Sequence, residues 1–339
     1  MLRKQAATAM AILAGVALVV WGAGDSVWPI NVEPGESIQE AIDAAPEGGV
    51  VYLGEGCWVE NLDVDKSLTL VGVAGNTTIQ GAEEDVPVFR VSGPDDRTIT
   101  VHLVGLTITG GVGWDGPGLF ACGGAKVIVS DVCITGNEKY GIHLRGTSQA
   151  AIAHSTVLRN GSTGLHLSDD AAATVSHSAI LENTGNGISA ESTPRLVLVD
   201  STIARNGQYG IYTRLSAQAV IVGSTMEGNK YGIVLTHSSR ATVVRSTLRA
   251  NEYGGVLLGD SVMLMLEGNG ILQNGGYGVK VNMPPCTENA AIFAGYVAGA
   301  ANDIPESGEA GGNRLGGWCP GDLAFLTSVD GGELDQREP

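Results

Sequence analysis

Asn160-Gly161-Ser162-Thr163-Gly164-Leu165-His166-Leu167 and, one period later, Asn183-Thr184-Gly185-Asn186-Gly187-Ile188-Ser189-Ala190 decide the fold. Each stretch runs from an asparagine to a glycine four residues on, followed at once by an aliphatic residue. The asparagine recurs at Asn137, Asn160, Asn183, Asn206, Asn229, Asn251 and Asn274, with spacings of 23, 23, 23, 23, 22 and 23. Its partners are Gly141-Ile142, Gly164-Leu165, Gly187-Ile188, Gly210-Ile211, Gly232-Ile233, Gly255-Val256 and Gly278-Val279. A unit this short cannot bury a core alone, so seven in-phase copies predict a stack in which each repeat covers the next.

Alignment on the asparagine exposes further columns. Ile152, Val175, Leu198, Ile221, Val243 and Leu266 form one, and Val157, Ile180, Ile203, Met226, Leu248 and Ile271 another. With the residue after the glycine they give three aliphatic ladders, hence three inward-facing strands per turn. Two residues before the first column, Ala150, Ala173, Leu196, Ala219, Ala241 and Leu264 keep the period-two alternation of a strand. Ser155, Ser178, Ser201, Ser224, Ser246 and Asn269 form a polar ladder, and the marker asparagines a second. Identical side chains stacked at strand spacing can bond from rung to rung, and the corner glycines are expected to supply an unusual φ. The reading is an all-β parallel β-helix. A leucine-rich repeat needs fixed leucines and a 3.6-period segment, which these repeats lack, and hexapeptide and nonapeptide helices have the wrong period.

Outside the regular rungs, Val50–Leu53, Leu68–Val71, Val86–Val91, Ile99–Val104 and Val127–Val129 read as strands of the same coil. Ser37 to Ala45 reads as one amphipathic helix with a Ser37/Glu40 capping box, whose face of Ile38, Ala41, Ile42 and Ala45 would close the open end. Residues 1–24, with Arg3, Lys4 and the apolar run Ala6–Trp21, read as a signal peptide cut after Gly24, or else an uncleaved anchor. The expected organisation is then a capping segment over 25–49, the β-helix over 50–283 and an irregular cap with an acidic tail over 284–339. An exported monomer follows, placed in the periplasm, at the cell surface or outside the cell.

Fifty glycines and only four phenylalanines suit tight turns around an aliphatic core. The net charge of −17 is concentrated at the ends: Asp25 to Asp96 holds 15 acids against two bases, whereas Lys126 to Lys280 holds 11 against 12. The chain has no basic stripe for nucleic acid. In an oxidising compartment Cys286 and Cys319 are expected to form a disulfide across the irregular end; Cys122–Cys133 is a second candidate pairing, and which of Cys57, Cys122 and Cys133 stays unpaired is left open. No cysteine or histidine spacing suggests a metal, and no cofactor is expected.

The stretch Ile30-Asn31-Val32-Glu33-Pro34-Gly35-Glu36-Ser37-Ile38-Gln39-Glu40-Ala41-Ile42, then Val51-Tyr52-Leu53 and Glu60-Asn61-Leu62, resembles the opening of pectin-lyase-like right-handed β-helix proteins. The Asn-x-x-x-Gly-Ile rungs resemble that superfamily's repeats. The resemblance covers about residues 30 to 283 and implies a right-handed coil and a polysaccharide substrate class. The superfamily's catalytic sets do not carry over. Asp169-Asp170 alone partly resembles the paired aspartates of polygalacturonases, and Met226, Met263, Met265 and Met283 are too scattered for the copper site of copper-delivery relatives.

Activity must lie where the rungs differ. On the strand after each glycine the outward positions carry His143 and Arg145, His166 and Ser168, Ser189 and Glu191, and Tyr212 and Arg214. Arginine can pair with a sugar carboxylate and tyrosine can stack on a ring, so His143, Arg145, His166, Ser168, Glu191, Tyr212 and Arg214 form the candidate groove. The plainer reading makes them solvated residues, with Glu191 and Arg214 paired across adjacent rungs. His154 and His177 stack beside the serine ladder and read as structural. Trp58 and Trp114 are candidate sugar platforms. The expectation is a solenoid that binds glycans or another surface component without turnover. The alternatives are a lyase or hydrolase of uronate-containing chains, and a purely structural spacer.

Overall fold

The computed structural model describes residues 29–281 apart from Asp95 and Asp260, together with 296–305, 309, 312–319 and 332–335. The expected signal segment, Cys286 and the side chain of Cys319 lie outside the described residues, and with them the expected disulfide.

The chain coils through three parallel sheets of 13, 11 and 10 strands, here sheets one, two and three. A typical turn runs from Ile142–Leu144 in sheet two to Gln149–Ala153 in sheet one and Thr156–Leu158 in sheet three, then returns to sheet two at Leu165–Asp169. Successive rungs pair in register, Ile142 with Leu165, Ile152 with Val175 and Val157 with Ile180. The three aliphatic columns therefore stack into one continuous core: Ile142, Leu165, Ile188, Ile211, Ile233, Val256 and Val279 are fully buried. Each such side chain contributes roughly 1.5–3 kcal/mol on burial, and the register that aligns them is fixed because a one-residue slip would turn the whole strand outward.

The asparagine ladder satisfies the polar groups of the turns. The Asn183 Oδ1 accepts from both the backbone N and the Nδ2 of Asn160, at 3.1 and 2.9 Å, while its own Nδ2 donates to Val157 O and Asn206 Oδ1 at 3.2 and 3.0 Å. The serine ladder works similarly: Ser178 Oγ accepts from Ser155 N at 3.1 Å and donates to Ser176 O at 2.8 Å. Both ladders outrun the regular repeat. Asn302 Oδ1 accepts from Asn269 and Asn313 Oδ1 from Asn274, so the stretch read as irregular carries the last steps of both. Strand Tyr296–Ala300 continues sheet one in parallel, and Gly332–Asp335 then pairs with it antiparallel.

The corner glycines are needed for a different reason from the one the sequence suggested. Gly141, Gly164, Gly187, Gly210, Gly232 and Gly255 do not have positive φ. A Cβ on Gly187 would instead lie 2.4 Å from Ile203 Cγ2, 2.7 Å from Gly210 O and 2.9 Å from Asn206 Nδ2. They are glycines because the ladder amide and the next backbone fill that space. Left-handed residues precede both ladders, His154, His177, Asp200 and Arg245 before the serines and Arg159, Glu182, Arg205, Ala250 and Gln273 before the asparagines, and a third set, Gly146, Asp169, Ser192, Leu215 and His237, falls at or just past the ends of the sheet-two strands. Gly223, Gly228 and Gly268 take the positions before the ladders in other rungs, where the conformation carries no Cβ penalty.

The one short rung loses its residue between Asn229 and Gly232, a separation of three where the other rungs have four. The deletion is absorbed there: Asn229 still bonds to Asn251, and Ile233 still pairs with Val256. From that rung on, the sheet-two strands begin before the corner, at Tyr231, Gly254 and Tyr277.

Helix α1, Ile38–Ala44, closes the N-terminal end with Ile38, Ala41, Ile42 and Ala45 buried. Ser37 Oγ accepts from Glu40 N as expected, but the carboxylate at the helix start comes from Glu60, which accepts from Ile38 N, Gln39 N and Ser37 Oγ. Trp58 is buried against this cap and donates its indole N–H to Glu36 O at 3.0 Å, so it is not a sugar platform. Cys57, Cys122 and Cys133 are free thiols. Cys122 lies in sheet two and Cys133 in sheet three, on strands facing different ways, which rules out the second disulfide.

Candidate functional site

Sheet two places one outward side chain per rung in each of two columns. Pairing aligns Phe120, His143, His166, Ser189 and Tyr212 in the first, and Ser168, Glu191 and Arg214 in the second. Because strands in a sheet lie about 4.8 Å apart, neighbours in a column are in contact without any loop to position them. His143 and His166 have ring centroids 5.0 Å apart, and Phe120 meets His143 edge-on at 5.2 Å.

Tyr140 completes this cluster. It precedes the corner glycine, so it belongs to the turn, yet its ring lies flat on His166 at 4.7 Å with an interplanar angle of 6°, and edge-on to His143 at 5.2 Å. Lys139 Nζ sits 3.8 Å above the Trp114 ring and 5.0 Å from that of Tyr140. Trp114 is 77% exposed, and its loop is anchored by Asp85, whose Oδ1 accepts from the N–H groups of Trp114 and Asp115. Ser168 Oγ stands 3.5 Å from His143 Nε2, and Ser189 Oγ donates to Glu191 Oε1 at 3.2 Å.

The structure thus brings together His143, His166, Ser168 and Glu191. Arg145 lies at the margin, in a 3.8 Å ion pair with Asp169. Tyr212 sits against Tyr209, ring centroids 5.8 Å apart. Glu191 and Arg214 are register partners, but no ion pair joins them among the described residues; the Glu191 carboxylate accepts from Ser189 and acts on His166. His154 and His177 stack at 5.2 Å, each directly before a serine of the ladder and with positive φ, as a structural corner would. Lys139 and Tyr140 were missed because column reading treats the turn as connection. The signal was an aromatic residue recurring before the corner glycine, in Tyr140, Tyr209, Tyr231 and Tyr277.

Burial sets the protonation states here. Desolvation, then the charges of His166, Lys139 and Arg145, pushes His143 down to about 3. Desolvation also lowers His166, against the upward pull of Glu191, and raises the Tyr140 phenol, where Glu191 adds to the effect. Near neutral pH the cluster therefore holds two uncharged imidazoles beside a protonated phenol. Stability is linked to this state. The unfolded chain binds a proton on His143 below about 6.5, whereas the folded chain refuses it until about 3. Folding stability is fully present above that range and should fall as pH drops through it, by at most about 1.4 kcal/mol per pH unit for one such group. His143→Phe keeps an aromatic ring against Phe120 and should flatten that dependence. Denaturant titrations between pH 7 and 4 measure both slopes, and identical slopes would remove His143 as the cause.

Among the described residues no three His, Cys, Asp or Glu side chains converge as a metal site would require. A polar hollow of about 360 Å³ lined by Asp96, Arg97, Thr147 and Gln149 opens elsewhere, near the start of the sheet-one strands.

Register, ladders and the in-line stacking of three sheets define the class: the chain folds as a right-handed parallel β-helix, the fold that the resemblance of its opening segment implied. Residues 140–284 match the family model described as a right handed beta helix region. The mannuronan C-5 epimerase AlgE4 A-module of Azotobacter vinelandii is similar in fold, with a TM-score of 0.61 and 17% identity over 78% of this chain and 89% of that one. The catalytic unit of a GH87 alpha-1,3-glucanase from Streptomyces thermodiastaticus aligns with a TM-score of 0.58 and 16% identity, over 77% of this chain and 62% of that one. An alginate lyase from Paenibacillus sp. str. FPU-7 aligns with a TM-score of 0.53 and 14% identity, over 75% and 99%. No curated protein matches the sequence significantly.

Proposed function

We propose that this protein is an exported enzyme acting on a uronate-containing polysaccharide, and that its chemistry begins with removal of the proton next to the sugar carboxylate. The observation that carries the reading is the contact of Tyr140 with His166 and His143, all in their uncharged forms. A carbon acid of this kind needs a neutral base on one side, a proton donor on the other and a cation near the carboxylate to accept the developing charge. An imidazole takes the C5 proton, and the electron pair moves into the carboxylate beside Lys139. The Tyr140 phenol then supplies a proton, either to the same carbon, inverting it, or to the departing oxygen of the glycosidic bond. The first outcome is epimerisation and the second elimination.

Hydrolysis is less well supported, since it uses two carboxyl groups flanking the bond. Between Tyr140 and Arg214 the outward columns of sheet two hold only Glu191. This reading goes further than the binding-only solenoid suggested by the sequence, because Tyr140 was absent from that picture. Two of the structural neighbours carry mannuronan and alginate in their names, both uronate chemistry, which favours the same substrate class. Their distance in sequence leaves the weight on the residues.

The test is a panel of mannuronan, guluronan, mixed alginate and polygalacturonate incubated with the purified mature chain. Absorbance of a new carbon–carbon double bond reports elimination, and proton NMR of the polymer reports inversion at C5. Either signal supports the proposal. Binding of a polymer without either change would return the protein to the non-catalytic reading.

A further inference from the structure

Six of the eight tyrosines in this chain fall between residues 140 and 277, on or beside a single face of the coil. Tyr140 belongs to the histidine cluster. Tyr209, Tyr212, Tyr231 and Tyr253 form a chain of their own, with centroid distances of 5.8 Å for Tyr209–Tyr212, 6.1 Å for Tyr209–Tyr231 and 5.9 Å for Tyr231–Tyr253. The fold does not demand rings at these places: Thr163 and Asn186 occupy the same position before the corner glycine in the two intervening rungs. Nor are the rings core filling, since Tyr253 is 48% exposed and Tyr209, Tyr212 and Tyr231 are half-buried.

The arrangement of one ring is built into the backbone. Gly254 is the register partner of Tyr231 and of Tyr277, and a Cβ on it would come within 2.8 Å of the Tyr231 ring edge. Tyr231 therefore leans over a position kept empty of side chain, and Tyr253, one residue earlier, projects outward beside it. The rings rise along the coil axis at close to one per rung, about 4.8 Å, which is comparable to the advance of one sugar unit along an extended chain. Cations accompany them: Arg214 is exposed on the adjacent outward column, and Lys230 Nζ reaches Gln208 Oε1 at 3.0 Å beside Tyr231. Aromatic faces with interspersed positive charge fit pyranose rings bearing carboxylates.

We propose that Tyr209, Tyr212, Tyr231 and Tyr253 form an extended stacking track that holds several consecutive sugars of one uronate chain on the C-terminal side of the histidine cluster. This rests on the uronate reading above, but it concerns binding and does not require turnover. The polymer lies parallel to the coil axis, crosses the polar gap at Thr163 and Asn186 where His166 and Glu191 face it, and is gripped beyond that gap. The protein should therefore favour long chains.

Calorimetric binding of a mannuronate trisaccharide and decasaccharide to the full-length mature protein tests the track. For the wild type, the decasaccharide should bind at least about tenfold more tightly than the trisaccharide, since it spans rings that the shorter chain cannot reach. The double variant Tyr231→Ala/Tyr253→Ala should lose most of that advantage while its trisaccharide affinity stays within about twofold. Gly254→Ala, which crowds the Tyr231 ring without removing a contact atom, should lose part of it, and Tyr52→Ala, an exposed tyrosine on sheet one, none. Thermal unfolding of each variant confirms that it is folded. A length advantage that survives in the double variant overturns the track, as does its absence from the wild type with both mannuronate and galacturonate oligomers. Sedimentation provides the remaining outcome: if the wild type is a dimer that the double variant dissociates, the rings cover a second copy and the proposal fails. Turnover without length preference would sink the track and leave the catalytic reading standing, and length preference without turnover would do the reverse.

Discussion

Asn183→Ala should destabilise the protein by about 4 kcal/mol and lower its melting temperature by roughly ten degrees. The side chain makes four hydrogen bonds in a buried position. Its loss removes the acceptor for the backbone N and the Nδ2 of Asn160, and a donor to Val157 O. Alanine offers nothing in exchange, and each buried polar group left unpaired costs about 1–3 kcal/mol. The position adds to the effect, because a solenoid passes stability only between adjacent repeats and a broken middle rung separates two halves. Asn137 stands at the start of the ladder, where its Nδ2 donates to Asn160 Oδ1 and Thr135 O but its Oδ1 accepts from one group, Gly111 N, with no ladder amide depending on it. Asn137→Ala should therefore cost clearly less. Calorimetric or denaturant unfolding of the two variants decides the matter: equal, small losses would show that water replaces the ladder and that the aliphatic columns alone hold the coil.

Tyr140→Phe should reduce turnover of the uronate polymer by about 10²–10⁴-fold, the usual worth of a positioned proton donor, with little change in substrate affinity. The substitution removes one oxygen and keeps the ring, so the flat contact with His166 and the neighbouring Lys139 remain. A loss in kcat at unchanged melting temperature would separate proton donation from packing. Replacing Ser168 by alanine removes two long contacts, of 3.5 Å each, to His143 Nε2 and Leu144 O, and should cost much less. If Tyr140→Phe turns over at the wild-type rate, the phenol is not the donor and the mechanism above is wrong at its centre.

The columns of the coil were legible because every rung repeats the same packing problem. Ile152, Val157 and Ile142 head columns that could be read by counting, and the structure places each of them inward. Physical causes were harder to read than positions. A glycine at a sharp corner suggests positive φ, but at Gly187 the close approach of Asn206 and Ile203 is what excludes a side chain, and that contact lies 16 to 19 residues away in sequence. The left-handed residues turned out to include Arg159 and Glu182, types that give no hint of it. In the site, period-two alternation found His143, His166, Ser168 and Glu191. It could not find Tyr140 or Lys139, whose turn has no fixed alternation, nor could it tell that Glu191 would bond to Ser189 beside His166 and not to Arg214.

The 22-residue rung shows where this coil tolerates change. A residue was dropped between Asn229 and Gly232 while the ladder on one side and the strand register on the other stayed intact. Among the regular rungs from Asn137 to Asn274 this is the one connection whose length varies. That turn overlooks the outward face of sheet two, and it carries Lys139, Tyr140, Tyr209 and Tyr231. Specificity can thus be rewritten locally, by lengthening, shortening or grafting this one connection, while the scaffold beneath keeps its stability.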